Sequence, residues 1–345
     1  MTARVTRRTT APRGAPPRPR RPRQRRRRSR RRRKSSVVTA EDVREAAAGL
    51  VGVTVRTPLR FVAPLNAYLK LENLQPVGAF KLRGAYNAIR RLPDAARQHG
   101  VITYSSGNHG QAVAYAAQLL GVRAVIVMPE TAPAVKVAGV KKWGGEVVVA
   151  GRTSEDRQAR AEEIAAREGL AVVPPFDHPD IVAGQATIGL EIAEQLPDAA
   201  TVVAPVGGGG LIAGVVTGLA AAGSSARVWG VEPVGAPKLQ RSLAAGHPVR
   251  LERTASIADG LITLTVGAIP FAQITAQRDH VAGVALVDED ALREAVRFLA
   301  RECRLTVEPS GAATTAAVRS GALRPVPPTV LVVSGGNVDL TQIED

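Results

Sequence analysis

The segment TVVAPVGGGGLIAGVVTGLAA, residues 201–221, decides how the chain is read. From 199 to 223 no residue is charged, and a hydropathy window alone would take the run for a membrane helix. Four consecutive glycines, Gly207 to Gly210, stand in its middle, and glycine is a costly residue inside a helix. A buried strand (201–205), a glycine turn and a buried helix (211–222) accommodate the same residues, and a strand at 227–231 completes a β-α-β unit. No membrane span is expected.

The same rhythm runs through the chain on both sides. Upstream, strands at 101–104, 123–128, 146–150 and 170–173 alternate with helical patterns at 110–120, 135–143 and 154–168. A second series has helices at 182–196, 289–302 and 310–320 with strands at 201–205, 227–231 and 329–333. Near the start, Thr39 is placed to cap a helix over 40–50, and 56–59 is a turn into extended chain ahead of a strand at 67–72. The reading is an α/β protein of two domains, each with a twisted, mainly parallel sheet flanked by helices. Residues 37–99 with 176–345 form the larger domain and 100–175 a smaller, mobile one, with a ligand cleft between them.

Charge is distributed unevenly. Residues 1–34 hold 16 arginines and Lys34 with no acidic residue, so the net charge of +16 resides in this tail; the other 29 basic residues face 30 acidic ones. Residues 1–36 cannot bury a core and are expected to be disordered. They are a nucleic-acid arm, a targeting peptide or a dispensable extension, and the last reading is preferred; any nucleic-acid contact would go through 1–34. The single cysteine, Cys303, sits in a helical pattern as a core residue, which excludes internal disulfides and fits a reducing, cytoplasmic setting. His99, His178, His247 and His280 lie in apparent loops without metal-ligand spacing.

Lysine is scarce: seven against 39 arginines. Lys81 stands in GAFKLRG (78–84), ahead of a helical pattern over 85–92. A primary amine condenses with an aldehyde and a guanidinium does not, and desolvation beside a helix N-terminus favours the reactive neutral amine. The plain alternative is a surface lysine in a first helical turn. Three loops argue against it. Ser105-Ser106-Gly107-Asn108-His109-Gly110 joins a strand to a helix and offers hydroxyls, an amide, an imidazole and backbone N–H groups suited to a carboxylate, although an ordinary capped turn would look similar. Gly207 to Gly210 lead into a helix and suit a phosphate. Val333-Ser334-Gly335-Gly336-Asn337 ends the last strand, on the edge where open parallel sheets bind ligands. A rival reading takes Gly208-x-Gly210-x-x-Ala213 as a dinucleotide fingerprint with Glu232 on a ribose, which would make an NAD-dependent oxidoreductase. It leaves Lys81, the 105–110 loop and Ser334 unused.

Taken together, LENLQPVGAFKLRGA (71–85), SSGNHGQA (105–112), PVGGGGLIAG (205–214), EPSGAA (308–313) and VSGGN (333–337) resemble, in order and spacing, the threonine dehydratase and serine racemase group of pyridoxal-phosphate enzymes, of the tryptophan synthase β fold. The resemblance covers about residues 40–340. It implies that Lys81 forms the Schiff base with pyridoxal 5'-phosphate, with Phe80 packed near the ring. Asn108 would bond the ring's phenolic oxygen, Gly207, Gly208, Gly209 and Gly210 with Leu211 would hold the phosphate, and Ser334 would bond the pyridine nitrogen. Ser105, Ser106, Asn108 and His109 would close on the substrate carboxylate, and Ser106 matches the second acid–base of serine racemase, on the face opposite Lys81. Glu232 and Ala236 resemble the start of a divalent-metal site, but Lys238 stands where its acidic ligand would be, so no metal is expected. Ala79 replaces a frequent serine.

The implied activity is β-elimination of L-threonine or L-serine to a 2-oxo acid and ammonia, with Lys81 removing the α-proton and the ring accepting the electrons. Serine racemase and 3-hydroxyaspartate ammonia-lyase belong to the same group and remain open. A homodimer or homotetramer is implied. With the chain ending soon after Asn337, a C-terminal regulatory domain is not expected.

Overall fold

The computed structural model describes residues 1–3, 37–105, 107–132, 134–151 and 153–338. Most of the Arg-rich tail, and Ser106 with the roles expected of it, lie outside the described residues. In chain order the strands are β1 (Leu59–Val62), β2 (Ala67–Leu71), β3 (Val101–Thr103), β4 (Ala124–Met128), β5 (Glu146–Val149), β6 (Ala171–Val172), β7 (Thr201–Pro205), β8 (Arg227–Pro233), β9 (Val281–Val287) and β10 (Thr329–Val333). One sheet has the order β1-β2-β10-β7-β8-β9 and the other β5-β4-β3-β6. Among the strands of the described residues, only the β1–β2 pair is antiparallel. A parallel sheet covered on both faces needs strands that are apolar throughout, and β4, β7 and β10 are buried along their whole length.

The helices are α1 (Ala40–Gly49), α2 (Lys81–Arg90), α3 (Asp94–His99), α4 (Asn108–Leu119), α5 (Ala134–Lys142), α6 (Ser154–Glu168), α7 (Pro179–Gln195), α8 (Gly210–Ala221), α9 (Lys238–Ala245), α10 (Ala268–Ala276), α11 (Glu289–Arg301) and α12 (Pro309–Arg319). Thr39 caps α1 through a reciprocal bond with Asp42, as its position implied. The uncharged helix α8 is buried because it lies against α7 almost backbone to backbone: a Cβ on Gly218 would come within 1.9 Å of the Ala186 carbonyl oxygen. Among the described residues no helix is long and apolar enough to cross a membrane.

Some expectations need correction. Helix α2 begins at Lys81 rather than at 85, so the lysine is the first helical residue. His99 closes α3 instead of lying in a loop. Cys303 falls just beyond α11, where it is buried in the core as expected, and burial raises its thiol pKa. The sequence pattern does not signal strand β9 or helices α3, α9 and α10. β9 is an edge strand whose sequence, VAGVALV, lacks the alternation that marks a half-buried strand.

Beneath α2 lies a buried ionic cluster that explains several residues of the 71–85 motif. Arg83 donates to both oxygens of Glu72, at 2.8 Å each, and to both of Glu191, at 2.6 and 3.0 Å. Lys70 reaches Glu191 at 2.6 Å and Gln195 at 2.8 Å, and Thr57 donates to Glu72 at 2.6 Å. Two cations and two carboxylates balance, with their remaining lone pairs and protons bonded, which is the condition for burying such charges without large loss. The cluster fixes the first turn of α2, and therefore Lys81, against β2 and α7.

Candidate active site

The lysine segment is held in place by the last strand. Gly78, at φ +71°, turns the chain, and residues 78–80 then run antiparallel to 334–336. The Phe80 N–H donates to the Ser334 carbonyl at 3.1 Å, the Gly336 N–H to Gly78 at 2.9 Å, and Ala79 bridges Gly335. Asn337 Nδ2 donates to the Val77 carbonyl at 2.8 Å. Two loops singled out in the sequence, more than 240 residues apart, are thus stitched together, and Ser334 is buried at the C-terminal end of β10.

Lys81 Nζ donates to the Pro175 carbonyl at 2.7 Å and lies 5.2 Å from the centre of the Phe80 ring. The residue is half-buried, and desolvation lowers its pKa to about 8, against the opposing pull of Glu308. An amine with that pKa is neutral, hence nucleophilic, in a far larger fraction near neutral pH than an ordinary lysine.

Across from it, Asn108 opens α4 and is held from two sides. Its Nδ2 donates to Glu308 Oε1 at 2.5 Å, and its Oδ1 accepts from Asn337 Nδ2 at 2.8 Å. Burial, with Asp259 nearby, raises the Glu308 carboxyl to about 8, so it is largely protonated at neutrality and keeps an O–H to donate. His109 is buried, and its Nε2 lies 3.0 Å from the Val173 carbonyl, which can only accept. Burial and Lys81 hold His109 down at about 3. The ring is therefore neutral, with Nδ1 carrying no proton and, among the described residues, finding no hydrogen-bond partner. Ser105 Oγ accepts from the Gly107 N–H at 3.4 Å.

The glycine loop leads straight into α8, with Leu211 buried in the first turn. Gly209 has φ +87°, a conformation that L side chains rarely adopt. A Cβ on Gly207 would meet the Gly260 carbonyl oxygen at 2.5 Å, and one on Gly208 would overlap the Phe176 ring at 2.3 Å. Only glycine fits a loop packed this closely at a helix N-terminus, and backbone N–H groups in such a loop suit a phosphate. The site thus offers an amine of lowered pKa, a paired amide and carboxyl, a glycine cradle and a serine at the end of a parallel strand. These groups fit an aldehyde-bearing pyridine phosphate.

Comparison with known proteins agrees. Residues 51–335 match the family model for pyridoxal-phosphate dependent enzymes. The chain belongs to the pyridoxal-phosphate dependent enzymes. It is 38% identical over 314 residues to the L-threonine ammonia-lyase of Thermotoga maritima, covering 89% of this chain and 78% of that protein. It is 38% identical to the L-threo-3-hydroxyaspartate ammonia-lyase of Saccharomyces cerevisiae, covering 88% and 94%. The structure of maize serine racemase superposes with a TM-score of 0.84 at 36% identity, over 89% of this chain and 96% of that one. The fold is that of the tryptophan synthase β-like pyridoxal-phosphate enzymes, and the cofactor is pyridoxal phosphate.

For a pyridoxal-phosphate enzyme of this fold, the NAD reading is overturned. Glu232 is fully buried, and its two oxygens accept from Lys238 at 3.1 Å, Leu239 N at 2.9 Å and Gln240 N at 3.0 Å, leaving nothing for a ribose. Glu308 is the residue missed: its motif was recognised, but no role was given to its carboxylate. The available signal is an acid immediately before a Pro-initiated helix of small residues.

Proposed function

We propose that this chain catalyses the pyridoxal-phosphate-dependent dehydration and deamination of L-threonine or L-serine to a 2-oxo acid and ammonia. The observation that carries this reading is the placement of the Lys81 amine beside the Asn108–Glu308 pair, on the segment stitched to Ser334. The cofactor, when bound, supplies an electron sink for the pair left by the α-proton. Lys81 would hold it through its amine, and the same amine is the base placed to take that proton. Asn108, Glu308 and Ser334 orient the ring, and Gly207 to Gly210 with Leu211 hold its phosphate. Residues 105–110, with Ser105, Ser106 and Asn108 among them, bind the substrate carboxylate. His109 supports this loop from behind through Val173.

Two ammonium groups lie close enough to act on Glu308. Lys136 is tied to Asp259 at 2.5 Å and Lys81 to Pro175. The Lys136–Asp259 pair joins α5 to the turn beside the glycine loop, and it supports closure of residues 100–175 over the larger 37–99 and 176–345 domain, excluding water.

The test is a panel of L-threonine, L-serine, L-threo-3-hydroxyaspartate and D-serine, with 2-oxo acid formation and chirality of the remaining amino acid both followed. Oxo acid from L-threonine or L-serine faster than from the others is expected. Interconversion of the serine enantiomers outpacing oxo-acid release would make the chain a racemase instead.

A further inference from the structure

One buried cation has no part in the chemistry above. Lys238 is fully buried at the start of α9. Its Nζ is ringed by four oxygens: Leu261 O at 2.9 Å, Val206 O at 3.0 Å, Ala236 O at 3.1 Å and Glu232 Oε1 at 3.1 Å. A neutral amine would turn its lone pair on one of them, whereas an ammonium can give its three hydrogens to all four if one is shared. Burial lowers the Lys238 pKa, and the adjacent Glu232 carboxylate works against that shift.

The acceptors are not scattered. Val206 immediately precedes Gly207, and Leu261 immediately follows Gly260, whose carbonyl would lie 2.5 Å from a Cβ on Gly207. The ammonium therefore pulls together the two backbone strands that face each other across the start of the glycine loop. Gly260 is braced from its other side by Ser310 Oγ, which accepts its N–H at 2.9 Å. Three carbonyls and a carboxylate are also the ligand chemistry of a hard metal cation. Here that cage is filled from within, so Glu232 and Ala236 do not fit a divalent metal.

We propose that Lys238 is a tethered cation that positions the glycine loop, taking the place of a free metal ion and making the protein indifferent to added cations. The proposal rests on the reading of the glycine loop as the phosphate cradle, as given above.

The experiment compares wild type with Lys238→Ala, which opens the cage, and Lys238→Met, which fills it without charge. Melting temperature of the apoprotein and affinity for pyridoxal phosphate are measured in choline, potassium and ammonium chloride at equal ionic strength. In choline chloride both variants should lose about 10-fold or more in cofactor affinity, the effect typical of removing a supporting contact from a bound group. Ammonium or potassium should restore affinity and raise the melting temperature of Lys238→Ala only, with wild type unmoved. If Lys238→Ala is unfolded in choline chloride, folding on addition of ammonium supports the proposal, and failure to fold in every cation overturns it. A deficit that no cation relieves, or wild-type affinity in choline chloride, also overturns it. So does saturable binding of magnesium or manganese by wild type that is lost in Glu232→Gln. Wild type that binds no pyridoxal phosphate in any salt would instead refute the cradle assignment, while the melting temperatures would still report on the cage.

Discussion

Asn108 Nδ2 donates to Glu308 Oε1 across 2.5 Å, joining the first residue of α4 to the residue before α12, 200 positions away. The bond places a buried carboxyl within reach of the Lys81 charge, and each group displaces the titration of the other. Glu308 is pushed up and Lys81 down because burial disfavours the charged form of both.

The Glu308 shift has a consequence for stability. A carboxyl with a pKa of 4.5 unfolded and about 8 folded holds its proton only in the folded state between those values. Its contribution is fully present below pH 4.5 and drains away as pH rises to about 8, a change on the order of a few kcal/mol. Glu308→Gln removes the titration. Urea unfolding of the two apoproteins should show wild type losing stability from pH 5 to 8 relative to the variant. Parallel pH profiles would contradict the shift.

Lys81 behaves in the opposite sense. Its pKa falls from 10.5 to about 8, so burying the ammonium costs stability below pH 8, and the cost is relieved between 8 and 10.5. The free amine is the species that captures an aldehyde. The rate at which apoprotein takes up pyridoxal phosphate should therefore rise with pH and level off near 8. A rate still climbing toward the ordinary lysine range would show an unshifted amine.

Arg83→Lys tests the cluster under α2. Lysine cannot reproduce two forked contacts at once, and either Glu72 or Glu191 would be left buried without its partner. A loss of about 3–5 kcal/mol in unfolding free energy is expected. A loss below about 1 kcal/mol would mean that the cluster relaxes around the smaller head group.

Gly207→Ala places a methyl 2.5 Å from the Gly260 carbonyl, which is backbone and cannot swing aside. The expected cost is about 1–3 kcal/mol in stability, with a larger loss in cofactor affinity than in melting temperature. Unchanged affinity would place the phosphate elsewhere.

Much of this architecture is legible in the residues themselves. β7, α6 and β10 fall at the limits that apolar runs and caps indicate, because their sequences carry strong local signals. The glycine loop and Lys81 stand out because four glycines and a rare lysine have no cheap structural use. What stays hidden depends on long-range pairing. The placement of Lys81 depends on the 78–80 and 334–336 bridge, which no local pattern encodes. Glu308 and Lys238 acquire their character only from the carbonyls, amides and carboxylates gathered around them in the fold, as Glu232 acquires its burial.

The most direct test is borohydride reduction of the purified holoenzyme followed by peptide mass analysis. The expected result is a single phosphopyridoxyl label on the peptide that carries Lys81, with Lys81→Ala unlabelled and at least about 1,000-fold slower in turnover. A label on another lysine, or a Lys81→Ala variant that keeps near wild-type turnover, would contradict the assignment of Lys81 as the amine that holds the cofactor and takes the proton.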